Sequence, residues 1–196
     1  MYSHRTVRIS RRKLPHWVVD EGTYFVTFRL FDSLDRDLAR LRGRKRVEEA
    51  LDRGDGEAFL KRPEFGSLVF NAIRFFDGER YFLHSLSVMP NHVHVVVRTA
   101  AGWTLGKVVW SWKSFTAKKA NALLGRRGQF WETEQYDRLI CDEQELARAN
   151  AYVAANPEKA GLKNWPWVAV FGVPFVAKYQ SAPEARTTPG GITTAQ

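Results

Sequence analysis

Cysteine is almost missing from this chain of 196 residues, since Cys141 is the only one. A single cysteine excludes an intrachain disulfide and any zinc site built mainly of thiolates. Long apolar runs are also missing, and none approaches the roughly 18 residues that a membrane-spanning helix needs. The basic first residues, MYSHRTVRISRRK, are not followed by the apolar segment of a secretory signal. These absences predict a soluble, cytoplasmic protein with no membrane contact.

Acidic residues are missing from two stretches of the chain. None occurs in residues 1–16 or in residues 99–127, although the whole chain has 21 Asp and Glu beside 30 Lys and Arg. The net charge of +9 indicates an anionic partner, of which nucleic acid is the commonest. Charge that serves only solubility explains the net value equally well.

The amino-terminal stretch, residues 1–16, is predicted to be an irregular basic arm. Its candidate DNA contacts are Arg5, Arg11 and Arg12. A solvated tail explains the same composition equally well. From about Ser181 the chain is rich in Ser, Pro, Gly and Thr, so residues 181–196 are predicted to be disordered and residues 17–180 to form the folded domain.

Hydrophobic periodicity predicts alternating strands and helices in the folded domain. Strands are predicted at residues 23–30, 81–88, 92–98 and 136–140. Helices are predicted from near Ser67, over residues 104–124 and over residues 143–156, with a helical insertion at 32–66 that is weakly tied to the core. The order βαββαβ predicts an α+β fold with a ferredoxin-like antiparallel sheet, helices on one face and a further C-terminal helix.

Two histidines lie two residues apart in the predicted strand 92–98, so both imidazoles should point to the same side. Their Cβ atoms are expected roughly 6.5–7 Å apart, and from that spacing His92 and His94 can bind one divalent ion. The valines that alternate with them are expected to pack in the core. A histidine in a strand is more often structural, so the pair alone does not establish a metal site.

The residues around this pair resemble the signature of a known enzyme class. The segment MPNHVHVVV contains the histidine–hydrophobic–histidine (HUH) motif of single-strand endonucleases. Residues 148–162, RANAYVAANPEKAGL, resemble the Y-[IV]-x-x-N-P-x-K-A-G element of single-tyrosine transposases. The segments RRKLPHW, GTYFVTFRL, WSWKSFTAKKAN and QFWETEQYDRLICDEQEL extend the resemblance to REP-associated tyrosine transposases over about residues 10–170.

The resemblance implies a metal-dependent DNA transposase that nicks and rejoins single-stranded or hairpin DNA through a 5′-phosphotyrosine. The matching positions make Tyr152 the nucleophile and His92, His94 and Asn156 the ligands of Mg²⁺ or Mn²⁺. Tyr152 and Asn156 are four residues apart and therefore share one face of a helix. Tyr136 is the rival nucleophile, although a packing role suits it better. No nucleotide cofactor is expected, since the sequence has no Gly-rich phosphate-binding loop.

The acid-free stretch of residues 99–127 is expected to hold the DNA. Its candidate phosphate contacts are Lys113, Lys118 and Lys119, of which Lys113 lies in the family-like WSWKSF segment. The aromatic residues interleaved with them are Trp103, Trp110, Trp112 and Phe115. Bases can stack on such rings, but Trp110 and Phe115 are expected to fill the core instead.

Two other functions fit the same sequence. One is a protein that binds nucleic-acid hairpins without cleaving them. The other is a metal-dependent hydrolase with no covalent step, in which Tyr152 is structural. The intact set of His92, His94, Tyr152 and Asn156 favours the transposase, because binding alone would not require it. The chain is expected to act as a monomer or a homodimer.

Overall fold

A computed structural model describes residues 8–11, 15–34, 49–51 and 56–176 of the chain. The strands are β1 (Arg8–Arg11), β2 (Pro15–Val18), β3 (Thr23–Arg29), β4 (Tyr81–Val88), β5 (His92–Thr99), β6 (Tyr136–Ile140) and β7 (Val168–Val170). The helices are α1 (Pro63–Arg74), α2 (Leu105–Leu123) and α3 (Glu143–Lys159), and a 3₁₀ turn, Phe59–Lys61, precedes α1.

The central sheet is antiparallel and has the strand order β6-β3-β5-β4-β7. Its first four positions hold the fourth, first, third and second strands of a βαββαβ unit. The α+β fold with an antiparallel ferredoxin-like sheet, predicted from the order of the elements, is confirmed. Strand β5 is central, because β3 pairs with one of its edges and β4 with the other.

The two faces of the sheet are covered by different helices. On one face, the core that β3, β4 and β5 share with α1 and α2 includes Val26, Phe28, Val93, Val95, Val97, Leu105 and Trp112. On the other face, Phe25 and Val96 pack against Leu146, Ala149 and Val153 of α3. Helix α3 therefore faces the side of β5 that carries the histidines.

Helix α2 is amphipathic. Its buried residues recur every three or four positions, as in Leu105, Val108, Trp112, Thr116 and Ala120. Thr104 caps its start, because the side-chain oxygen accepts a hydrogen bond from the backbone N–H of Lys107 at 3.4 Å. Trp112 anchors the middle of the helix by donating its indole N–H to the hydroxyl of Tyr81 at 2.9 Å.

Helix α3 is fixed at its first turn. Asp142 caps it, with Oδ1 accepting from the backbone N–H of Glu145 at 2.6 Å. The carboxylate of Glu145 accepts in turn from the guanidinium of Arg138 at 2.7 Å and from the backbone N–H of Cys141 at 3.0 Å. These bonds tie α3 to the end of β6 and so set the direction in which the helix crosses the sheet.

Two helix boundaries differ from the prediction. Helix α1 begins at Pro63 rather than near Ser67. A backbone N–H in the first turn of a helix has no helical acceptor, so a proline there loses no hydrogen bond. Helix α3 continues to Lys159 instead of ending at residue 156. Pro157 lies in its last turn, where it removes a single backbone hydrogen bond.

Three strand segments lie outside the predicted set. At the arm predicted to be irregular, residues 1–16, β1 and β2 pair antiparallel as a two-stranded sheet that extends to Val18. Strand β7 pairs with residues 85–87 of β4 and extends the central sheet. With a length of three residues, β7 is too short to show a period.

The insertion predicted at 32–66 is described only in part. Residues 49–51 are helical, and Leu34, Ala50 and Leu51 form a small buried cluster. Residues 35–48 and 52–55 of the insertion lie outside the described residues, as does the predicted tail, 181–196. In the part of the chain that the structure describes, no helix is long and apolar enough to cross a membrane.

Candidate active site

His92 and His94 project from the start of β5 toward the same side of the sheet, as alternation along a strand predicts. Both side chains are buried, and their Nε2 atoms lie 2.9 Å apart. The rings are nearly perpendicular, at 79°, with centroids 4.6 Å apart. The two Nε2 nitrogens therefore converge on one point, as two imidazole ligands of a single ion must.

Each imidazole is also held through its other ring nitrogen. Nδ1 of His92 lies 2.7 Å from Oδ1 of Asn91, and Nδ1 of His94 lies 2.8 Å from Oγ1 of Thr27. Burial lowers the pKa of His92 to about 3, so this ring is neutral at pH 7. A neutral imidazole whose second nitrogen is hydrogen-bonded is the form in which histidine binds metals.

Tyr152 lies directly beside His94. Its ring is 5.3 Å from the imidazole of His94 and 5.8 Å from the ring of Phe25, and it meets both edge-on. The neighbouring Val153 is fully buried in the core between α3 and the sheet, which fixes the rotation of the helix about its axis. The structure thus brings together the three residues that are predicted to be catalytic.

Asn156 lies one helical turn after Tyr152 and is 1% exposed. Among the described residues, neither its Oδ1 nor its Nδ2 has a hydrogen-bond partner. Buried amides are nearly always hydrogen-bonded, so an amide without a protein partner marks a place where a ligand can satisfy it. This observation fits the prediction that Asn156 contributes an oxygen ligand.

The donor set suits a hard or borderline divalent cation. Two imidazole nitrogens and one amide oxygen leave room for waters and a phosphate oxygen, which both Mg²⁺ and Mn²⁺ accept. Within the described ranges, no group of three or more His, Cys, Asp or Glu residues forms a rival metal site.

Lys159 also belongs to this site. Its ammonium nitrogen lies 5.5 Å from the centroid of the Tyr152 ring. The spacing of seven residues is two helical turns, which places Lys159 on the same face of α3 as Tyr152. Because the helix is predicted to end at residue 156, the sequence does not place Lys159 on the same helical face as Tyr152.

Tyr136, the rival nucleophile, lies on the same face of the sheet. It pairs in register with Thr27, and its ring is 6.5 Å from that of Phe25. The ring contact of Tyr152 with His94 favours Tyr152 as the nucleophile.

Comparison with known proteins supports the family resemblance of the sequence. The sequence profile of the family described as IS200-like transposases matches residues 73–156, which include both histidines, Tyr152 and Asn156. Over these residues the chain is similar to the IS200-like transposases. The family resemblance seen in the sequence is thereby confirmed. Among curated protein sequences, none matches the chain.

One solved structure shares the fold of this chain. A REP-associated tyrosine transposase bound to a REP hairpin superposes with a TM-score of 0.56 at 16% identity, over 81% of this chain and 82% of that chain. A chain from Deinococcus radiodurans R1, described provisionally as a transposase, gives a TM-score of 0.42 at 14% identity, over 75% of this chain and 96% of that chain. The first likeness shows that the two proteins have the same fold.

Two aromatic residues of α2 lie on the surface of the fold. Trp110 is 71% exposed and Phe115 is 50% exposed, whereas Trp112 is 2% exposed. The expectation that Trp110 and Phe115 fill the core is therefore wrong. Because Trp112 points inward to Tyr81, Trp110, about 200° away around the helix, points outward.

The predicted phosphate contacts differ in their surroundings. Lys113 donates its ammonium protons to the backbone carbonyls of Glu132 at 2.5 Å and Thr133 at 3.0 Å, so it holds the loop before β6. Lys118 and Lys119 are exposed. Lys118 lies eight residues after Trp110, about 80° further around the helix.

The candidate DNA contacts of the arm lie mostly outside the described residues. Arg5 and Arg12 lie outside the described residues, and for Arg11 the structure describes the backbone in β1. Their predicted contacts with DNA stay predictions.

An open groove of about 1020 Å³ runs along α2 beside the loop before β6. Its lining includes Trp17, Lys107, Trp110 and Gln129. The exposed ring of Trp110 thus lies at the side of a groove large enough to admit a nucleobase.

Proposed function

We propose that this chain is a DNA transposase that cuts and rejoins single-stranded DNA at hairpin sites through a covalent bond to Tyr152. The proposal rests on the position of the Tyr152 ring, 5.3 Å from His94, beside the point where the two Nε2 atoms converge. A protein that only binds DNA has no use for this arrangement, because an unsatisfied buried amide beside it costs stability.

The cleavage step follows from the chemistry of these side chains. The phenol oxygen of Tyr152 attacks the phosphorus of the scissile phosphodiester, a new P–O bond forms, and the bond to the 3′-oxygen breaks. The phenol loses its proton and the leaving 3′-oxygen gains one, so the products are a 5′-phosphotyrosine and a free 3′-hydroxyl. A Mg²⁺ or Mn²⁺ ion held by His92, His94 and Asn156 would supply charge neutralisation at the phosphate.

Lys159 assists the loss of the phenol proton. A tyrosine with the ordinary pKa near 10 is almost fully protonated at pH 7. The ammonium of Lys159, 5.5 Å from the ring centroid, favours the negative charge that develops on the phenol. The reverse attack of a 3′-hydroxyl on the phosphotyrosine rejoins the strand, so no energy-rich cofactor is required.

The DNA strand is proposed to follow the exposed side of α2. Unpaired bases stack on Trp110 and Phe115, and phosphates contact Lys118 and Lys119. Helix α2 contains no acidic residue that would repel the strand. The basic arm, with Arg5, Arg11 and Arg12, is proposed to contact the same DNA.

The direct test uses a labelled single-stranded DNA hairpin, Mg²⁺ or Mn²⁺, and denaturing gel electrophoresis. The proposal predicts a labelled band at the mass of the protein plus DNA, and no such band when EDTA is present. Binding without any cleavage would support the hairpin-binding alternative. Cleavage without a covalent band would support a hydrolase.

Replacement of Trp110 by alanine is expected to weaken binding of single-stranded DNA. Stacking of one base on an aromatic ring contributes about 1–3 kcal/mol, so Kd should rise roughly 5- to 150-fold. Fluorescence anisotropy with a labelled oligonucleotide measures the change. Phe75→Ala is the matched control, since Phe75 is 74% exposed but belongs to the end of α1. Equal losses in both variants would argue against a specific stacking site.

Replacement of both Lys118 and Lys119 by alanine is expected to reduce the salt dependence of DNA binding. Each lost phosphate contact lowers the slope of log K against log salt by about 0.7 for a single strand. The measurement is a titration at several salt concentrations. An unchanged slope would show that these lysines do not contact the DNA.

A further inference from the structure

Asn91 connects the partly described insertion to a proposed metal ligand. Its side-chain N–H donates to the backbone carbonyl of Leu51 at 3.0 Å. Its Oδ1 lies 2.7 Å from Nδ1 of His92. Asn91 is 0%, His92 1% and Leu51 3% exposed, so water does not compete for these hydrogen bonds.

The orientation of the amide follows from its partners. A backbone carbonyl can only accept a hydrogen bond, so the NH₂ group of Asn91 must face Leu51 and its oxygen must face His92. An amide oxygen is also only an acceptor, so the proton of the neutral His92 ring must lie on Nδ1. The lone pair of His92 is then left on Nε2, 2.9 Å from Nε2 of His94.

We propose that Asn91 is a positioning residue that sets the tautomer of His92, and that the insertion around Leu51 holds Asn91 in place for this purpose. Neutral imidazole in water prefers the tautomer protonated on Nε2, which would turn an N–H toward the ion. Asn91 reverses that preference. Leu51 is therefore part of the active-site structure, although the sequence predicts that the insertion in which it lies is weakly tied to the core.

The role of the tautomer in metal binding rests on the proposed function, but the tautomer itself does not. The tautomer itself is a property of the metal-free chain and can be measured without DNA. A failure of the tautomer test therefore leaves the proposed function standing, and a failure to form a covalent DNA adduct leaves the tautomer assignment standing.

The test is a long-range ¹H–¹⁵N NMR correlation of the histidine rings in the metal-free full chain, with Mn²⁺ titrations followed by electron paramagnetic resonance. In the unaltered chain the His92 proton should lie on Nδ1. In Asn91→Ala the proton should move to Nε2, and Mn²⁺ affinity should fall by about 10- to 100-fold, as for other residues that orient a metal ligand. An Nδ1 proton in this variant, or an affinity within threefold of the original, would overturn the proposal.

Asn91→Asp distinguishes the hydrogen bond to His92 from the hydrogen bond to Leu51. It also keeps the proposal testable if Asn91→Ala fails to fold. The carboxylate still accepts from Nδ1 of His92 but has no proton for Leu51. The Nδ1 tautomer and the Mn²⁺ affinity should be retained, while Tm falls by roughly 2–6 °C because the Leu51 carbonyl loses its donor. Loss of the tautomer would refute the role of Asn91, and an unchanged Tm would refute the role of the insertion.

Asn150→Ala is the matched control. Asn150 is another amide at the interface of α3 and the sheet, and its Oδ1 accepts from Oγ of Ser85 at 2.7 Å. Its loss should leave both the His92 tautomer and the Mn²⁺ affinity unchanged. If Asn150→Ala altered the tautomer and the Mn²⁺ affinity as much as Asn91→Ala does, the cause would be a general loss of structure and the proposal would fail.

Discussion

Replacement of Tyr152 by phenylalanine is expected to abolish the covalent protein–DNA adduct and to lower strand cleavage by at least about 10³-fold, because removal of a covalent nucleophile removes the step itself. The ring stays, so the edge contacts with His94 and Phe25 are preserved and the fold should not change. Adduct formation is measured on a denaturing gel, and hairpin affinity by anisotropy should stay within about twofold.

The matched control is Tyr136→Phe, which removes the same hydroxyl from a neighbouring tyrosine that also contacts Phe25. This variant should keep the adduct. The assignment would be reversed if Tyr152→Phe still formed the adduct and Tyr136→Phe did not.

Replacement of His94 by alanine is expected to lower Mn²⁺ affinity by more than about 100-fold and to stop cleavage. Residues that merely orient a metal ligand contribute about 10- to 100-fold, so the loss of a ligand should exceed that range. The substitution removes one of the two converging Nε2 atoms and also leaves Thr27 without its imidazole partner. Calorimetric titration with Mn²⁺ measures the affinity, and hairpin binding without metal should persist.

His84→Ala is the control for the loss of a buried histidine. His84 is fully buried on β4, where the pairing of β4 with β5 shifts between Leu83 and Ser85. It should reduce stability but leave Mn²⁺ affinity within a few-fold of the original. If Mn²⁺ affinity fell equally in both variants, the effect would come from the loss of a buried histidine in this sheet and not from the loss of a metal ligand.

Much of the fold can be predicted because its strands carry a local signal. The limits of β4 and β6 agree with the prediction, since aromatic and β-branched residues mark them and turn residues bound them. Strand β7 could not be found this way, because three residues show no period and its pairing with β4 is a tertiary event. The burial predicted for Trp110 is wrong for the same reason, since the choice between it and Trp112 depends on the position of Tyr81.

The site also contains local features that the sequence predicts and contacts between distant segments that it does not. His92 and His94 lie on one face because they are two residues apart in a strand. Tyr152 and Asn156 lie on one face because they are four residues apart in a helix. The meeting of Tyr152 with His94 joins distant parts of the chain, so only the family resemblance indicates it in advance. Asn91 reads as a turn residue in the sequence because its partner, Leu51, is 40 positions away.

The alternation along β5 has a consequence for how the histidine geometry is maintained. A slip of this strand by one residue against its neighbours would turn Val93, Val95 and Val97 toward α3 and press both imidazoles into the apolar layer under α1 and α2. The apolar packing on the reverse of the strand therefore protects the alignment of the two imidazoles, and substitutions among these valines can alter metal binding without touching the metal site.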